Sequence, residues 1–135
     1  MRTRTQNETA IKLLREARNM IADFDNWCWG IGAVDDDGEE VSPCDDVACK
    51  WCATGAIDAV AYKYEDEHAL LNGFTLVYDL NDAAKAIAGA DSIILVNDWG
   101  EKEEGHDPAP PPAERHTLVL KCYDHAIERL EKQLL

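Results

Sequence analysis

Cys28, Cys44, Cys49 and Cys52 stand close together in the sequence, and four thiolates would satisfy a tetrahedral zinc ion. Structural zinc sites usually set Cys-x-x-Cys on a knuckle turn, often in two pairs. Here the one pair, Cys49-Lys50-Trp51-Cys52, falls in a segment read below as helix, and the other two cysteines stand singly. No metal and no cofactor is expected. Free thiols acting as small hydrophobes account for these cysteines better.

A second set has the residue types of thiol catalysis: Cys52 as nucleophile, His116 as base, and Asn97 or Asp98 as the group that orients the base. Against it, Cys52 falls on an expected apolar stripe, where a thiol is ordinarily inert. His116 is expected at a helix edge, and Thr54-Gly55 makes no nucleophile elbow. Asn97-Asp98 has a plainer use, since short polar side chains after an apolar run bond nearby backbone and end an element. Thr117 is expected to do the same near the start of the last helix.

The acidic residues invite a calcium loop. With Gly38 at the obligatory sixth position, however, the first position is Ala33 and the twelfth Cys44, where carboxylates are required. What remains is a charge distribution. The formal net charge is −14, and no Lys or Arg lies between Arg18 and Lys50, where Asp23, Asp25, Asp35, Asp36, Asp37, Glu39, Glu40, Asp45 and Asp46 all fall. Direct binding to nucleic acid is disfavoured, because that needs a basic face to displace counterions. A localised acidic patch suits a basic protein partner. Trp27 and Trp29 lie in the same stretch, and neighbours in an extended turn point to opposite sides. One of them beside the patch is therefore a candidate anchor.

The elements that must position these groups follow from periodicity. Thr5 and Glu8 form a capping box, and Ile11, Leu14, Ala17, Ile21 and Phe24 keep helical spacing, so a helix is expected over 6–24. Ile31, Ala33 and Val34, then Asp35-Asp36-Asp37-Gly38, then Val41 read as a short β-hairpin around an Asp-Gly turn. Ser42 as N-cap with Pro43 behind it starts a helix that runs to about residue 64, burying Ala48, Trp51, Cys52, Gly55, Ala56, Ala59 and Val60. A turn at Asn72-Gly73 precedes a third helix over 75–87, stopped by Gly89. The run 93–98 has β-branched residues that favour a strand, yet its helical surroundings favour a short helix. Residues 100–113, with Pro110-Pro111-Pro112, read as a flexible loop, and the last helix is expected over 114–134 on Val119, Cys122, Ala126, Ile127 and Leu130.

The fold class is therefore mainly α: a compact bundle of four to five helices with one short β-hairpin, in a single domain over residues 1–135. No apolar run approaches the roughly 20 residues of a membrane span, and an odd number of irregularly spaced cysteines suits a reducing compartment. A cytoplasmic protein that does not bind membranes is expected.

Trp27-Cys28-x-Gly30, Trp51-Cys52-x-x-Gly55-Ala56, Asn97-Asp98, Thr117-x-Val119 and Ala126-Ile127 together make a pattern that resembles a small domain family of unknown function from actinobacteria and their phages. The resemblance spans most of the chain and implies a fold, with no activity to carry over. The function expected from the residues is a non-enzymatic accessory or interaction domain that meets a basic partner through Trp27 or Trp29 and Asp35, Asp36, Asp37, Glu39 and Glu40. Two alternatives stand beside it: a cysteine-dependent enzyme using Cys52, His116 and Asn97 or Asp98, and an acidic mimic of nucleic acid that blocks a DNA-binding protein.

Overall fold

The computed structural model describes residues 2–64, 73–98 and 110–135, with side chains described from residue 75 onward in the second stretch. Trp99, Asn72, the polar stretch 65–68 and most of the expected loop (100–109) lie outside the described residues.

Helix α1 (Arg4–Met20) starts one half-turn earlier than its sequence suggests. The capping box is built by Thr3 and Gln6: the Gln6 amide donates to Thr3 Oγ1 at 3.1 Å and the Thr3 amide to Gln6 Oε1 at 2.8 Å. Glu8, freed from that role, pairs with Arg4. Ala10, Ile11, Leu13, Leu14 and Ala17 are buried, and Ile21 caps the C-terminus. Phe24, expected on the same stripe, instead begins a 3-10 turn (Phe24–Asn26) whose N-cap is Asp23, and its ring is 42% exposed. Beyond the Ile21 cap, Asp23 starts this turn by accepting the Asp25 amide on Oδ1 at 2.9 Å, a local bond that competes with continued helix.

The acidic turn closes as its sequence requires. Asp35 Oδ1 accepts from the amides of Asp37 and Glu39, both at 2.9 Å, Gly38 adopts φ 80°, and Val34 bridges Glu40. The ladder partner of strand β1 (Ala33–Val34) is different from the expected one. It is strand β2 (Lys50–Trp51), antiparallel, with Ala33 opposite Trp51 and Val34 opposite Lys50.

This pairing overturns the helix expected from Ser42. Residues 42–49 form turns in which Ser42 Oγ takes the Cys44 amide and Asp45 Oδ1 the Val47 amide, a local alternative to helix that Ser and Asp offer readily. The backbone of 49–52 is claimed by its neighbours: Cys49 N donates to Val34 O, Cys28 N to Trp51 O and Cys52 N to Gly32 O. Helix α2 (Ala53–Lys63) therefore begins late, with Cys52 as N-cap and Ala53, Gly55, Ala56, Ile57 and Val60 buried. Trp51 and Cys52 are half-buried rather than core residues.

Helix α3 (Gly73–Ala88) ends before Gly89, which takes φ 66°. Residues Ile93–Asp98 form the short helix α4, so the helical alternative holds for that run. Helix α5 (Pro112–Gln133) starts inside the expected Pro-rich loop, with Pro112 in its first turn. Thr117 does not cap it; its hydroxyl bonds back to the Ala113 carbonyl. Along one face of α5, Val119, Cys122, Tyr123, Ala126, Ile127 and Leu130 are buried, and α5 packs on α1, α3 and α4. One hydrophobic cluster joins these side chains with those of α1, α2, α3 and α4 and with Trp27. The architecture is thus mainly helical, five helices with a two-strand antiparallel sheet among the described residues.

Candidate functional site

The sequence motifs converge on Asn97. At the end of α4 this side chain is 2% exposed, and its polar atoms are used on both sides. Asn97 Oδ1 accepts from Trp27 Nε1 at 2.7 Å and from the Ala53 amide at 3.0 Å. Asn97 Nδ2 donates to the Cys28 carbonyl at 3.2 Å and to Asp98 Oδ1 at 2.8 Å. Asp98 Oδ1 in turn accepts from the Gly30 amide at 2.9 Å. The pair Asn97-Asp98 thereby pins the loop 27–30 to the first turn of α2. Only an amide provides two acceptor and two donor sites in this arrangement. The bonds reach backbone and side chains more than 40 residues away in sequence, further than the local capping expected.

Glycines allow the close approach beneath this network. A Cβ on Gly55 would overlap the Gly32 carbonyl oxygen, so α2 can lie against the 31–32 turn only with glycine there. From α5, Tyr123 donates its hydroxyl to the Ala53 carbonyl at 2.6 Å, and Arg115 donates to the Asn97 carbonyl at 3.4 Å. The latter places a cation at the C-terminal end of α4, where the helix dipole favours it. Neither Tyr123 nor Arg115 was singled out from sequence. Both lie on the α5 stripe with Val119, one turn away on either side, and that spacing was their available signal.

Trp27 and Trp29 do not point to opposite sides, contrary to expectation: residues two apart in an extended segment share a side, and the two rings meet, differing only in exposure. Trp27 is 2% exposed, whereas Trp29 is 37% exposed and stacks on Trp27 at 5.2 Å with Arg115 5.1 Å from its ring centre. Trp27 is therefore a core residue and is removed from the candidate contact set. Asp36, Asp37, Glu39 and Glu40 are exposed, while Asp35 is half-buried and serves the turn.

A cleft of about 200 Å³ lies beside the network, lined by Gly30, Ile31, Gly32, Cys52, Thr54, Asn97 and Asp98, among others. Cys52 Sγ accepts from the Gly55 amide at 3.2 Å and lies 3.3 Å from Thr54 Oγ1. The structure thus brings Cys52, Asn97 and Asp98 to one cleft. His116 goes elsewhere. It is buried, contrary to the helix-edge position expected, with Nε2 2.6 Å from the Ile21 carbonyl and its ring against Phe24 and Trp27. Burial pushes the Cys28 thiol up to about 12, with the neighbouring Cys52 and Asp98 charges adding to the rise. Among the described residues no group of three or more His, Cys, Asp or Glu is placed to hold a metal ion, and no helix is long and apolar enough to cross a membrane.

Fold and site together define a class: a helical domain whose tryptophan loop and helix start are keyed to one buried asparagine. Residues 5–129 match DUF6197, a family of unknown function, and the chain belongs to that family. No curated protein and no solved structure matches it.

Proposed function

We propose that this chain is a non-enzymatic accessory or interaction domain that presents Trp29 and the acidic side chains Asp36, Asp37, Glu39 and Glu40 to a basic protein partner. The observation that carries this reading is the outward placement of Trp29. Its ring rests on Trp27, Trp27 is fixed by Asn97, and the loop is fixed by Asp98. A large aromatic held rigidly at the surface binds without losing much side-chain freedom, as interface anchors do. Phe24, 42% exposed and 5.9 Å from the Trp27 ring, extends the apolar centre, and the exposed Asp23 and Asp25 flank it. Exposed rings together with exposed carboxylates suit a Lys/Arg-rich segment in charge.

A single-domain protein of a reducing, cytoplasmic compartment fits this reading, with an odd number of cysteines and a net charge of −14. So does an origin among actinobacteria and their phages. The nucleic-acid mimic is the special case in which the basic partner is a DNA-binding protein. The cysteine-enzyme alternative keeps the shared cleft of Cys52, Asn97 and Asp98 as its support, but His116, its proposed base, is held by Ile21.

The test is affinity capture with the wild-type chain and with a variant carrying Asp36→Asn, Asp37→Asn, Glu39→Gln and Glu40→Gln. The expected result is a partner retained by wild type at low salt, released as salt rises and lost in the variant; duplex DNA competes it off if the mimic form is right. Equal capture by both proteins at every salt concentration would remove the reading.

A further inference from the structure

The bridge between Trp27 and Trp51 is parallel, and its hydrogen bond from Cys28 N to Trp51 O is 3.1 Å long. Cys28 and Cys52 each follow a bridge partner by one residue, so they are lateral neighbours on adjacent extended segments. Parallel neighbours are about 4.8 Å apart, inside the roughly 4.4–6.8 Å window of Cα separations that a disulfide accepts. Residues in equivalent positions of paired strands point to the same side. Both also meet the 31–32 turn: Cys28 Sγ contacts the Ile31 carbonyl at 3.6 Å and the Cys52 amide bonds the Gly32 carbonyl. The two thiols differ in access. Cys52 is half-buried and lines the cleft, whereas Cys28 is 8% exposed.

We propose that Cys52 and Cys28 form a redox-active pair, in which a small hydroperoxide entering the cleft oxidises Cys52 and Cys28 resolves the product as an intramolecular disulfide. In the first step the Cys52 sulfur attacks one peroxide oxygen. An S–O bond forms, the O–O bond breaks, and the departing oxygen leaves as an alcohol or water after taking the proton released by the thiol. Sulfur is oxidised by two electrons to the sulfenic acid and the peroxide is reduced. In the second step the Cys28 sulfur attacks Cys52. The S–S bond forms, the S–O bond breaks, and hydroxide leaves as water with the Cys28 proton. The Gly55 amide bonds Cys52 Sγ at 3.2 Å and holds the sulfur at the N-terminal end of α2, beside the cleft. The proposal is independent of partner binding, although the disulfide would tie the Trp29 loop covalently to α2.

The full chain is reduced, freed of reductant and treated with a few equivalents of hydrogen peroxide. The wild type is expected to lose the mass of two hydrogens, to give a linked Cys28–Cys52 peptide on mapping without reduction, and to recover both thiols with dithiothreitol. In Cys28→Ser, dimedone is expected to trap Cys52 as the sulfenic acid; in Cys52→Ser, Cys28 remains a thiol. The wild-type mapping decides the matter even if a variant folds poorly. Oxidation of Cys44 or Cys49 with Cys28 and Cys52 left as thiols, or linkage between chains in place of the internal one, would overturn the proposal.

Discussion

Replacing Asn97 with alanine leaves the indole N–H of Trp27 and the amide of Ala53 facing a cavity in a buried site. Each unmatched buried donor costs about 1–3 kcal/mol. We therefore expect Asn97→Ala to lose about 3 kcal/mol in chemical denaturation and roughly 10 °C in Tm. Asp98→Ala removes the acceptor for Gly30 at a half-exposed position, and about 1 kcal/mol is the expected loss. If both variants were as stable as wild type, Asn97 would not be the key of the loop. Trp29→Ala belongs to the same scale with the opposite expectation. Its ring is partly exposed and packs on one face against Trp27, so stability should fall by about 1 kcal/mol or less while partner affinity falls at least tenfold. Cys52→Ser should keep the N-cap, because a hydroxyl accepts from the Gly55 amide as well as sulfur does.

At the scale of elements, Gly55 is the most exacting position. Alanine there gains about 1 kcal/mol in helix propensity, but its Cβ meets a backbone oxygen of Gly32 that has no room to move without disturbing the sheet. A net loss of about 2 kcal/mol or more is expected for Gly55→Ala in urea denaturation. The apolar spacing marked Gly55 as a buried helix position, but the neighbour it admits is a loop 23 residues upstream, which no local pattern announces. The same limit explains the misplaced start of α2. Ser42-Pro43 is a sound local start signal, and it is overridden because the backbone of 49–52 bonds Val34, Gly32 and Trp51's neighbour Cys28. Helices α1, α3 and α5 were legible because their apolar positions repeat on a helical period, whereas the apolar run of α4 carries no such period and was read as helix from its surroundings alone. Of the site, Cys52, Asn97 and Asp98 were visible as residue types. The burial of His116 follows from its spacing three residues before Val119, but that it faces Ile21 instead of the cleft depends on how α5 packs.

For the molecule as a whole, buried thiols couple stability to alkaline pH. Burial pushes Cys28 up to about 12 and Cys122 up to about 11 from an ordinary value of 9.0, and burial raises Tyr123 well above its ordinary range. Because these groups hold their protons more tightly when folded, their contribution is complete below pH 9 and is lost as pH rises through the folded values. Each thiol can contribute a slope of up to about 1.4 kcal/mol per pH unit over its window. Under reducing conditions the urea midpoint is therefore expected to fall steadily above pH 9; a flat profile to pH 11 would show these thiols and Tyr123 to be accessible in the folded state. The acidic surface and the held-out tryptophan lead to the claim that matters most for function, and a selection of displayed random peptides against the immobilised chain tests it most directly. Enrichment of Lys/Arg-rich peptides is expected, binding wild type at low salt, weakening as salt rises and binding Trp29→Ala at least tenfold more weakly. Recovery of no basic consensus, or equal binding of the selected peptides to wild type and Trp29→Ala, would contradict it.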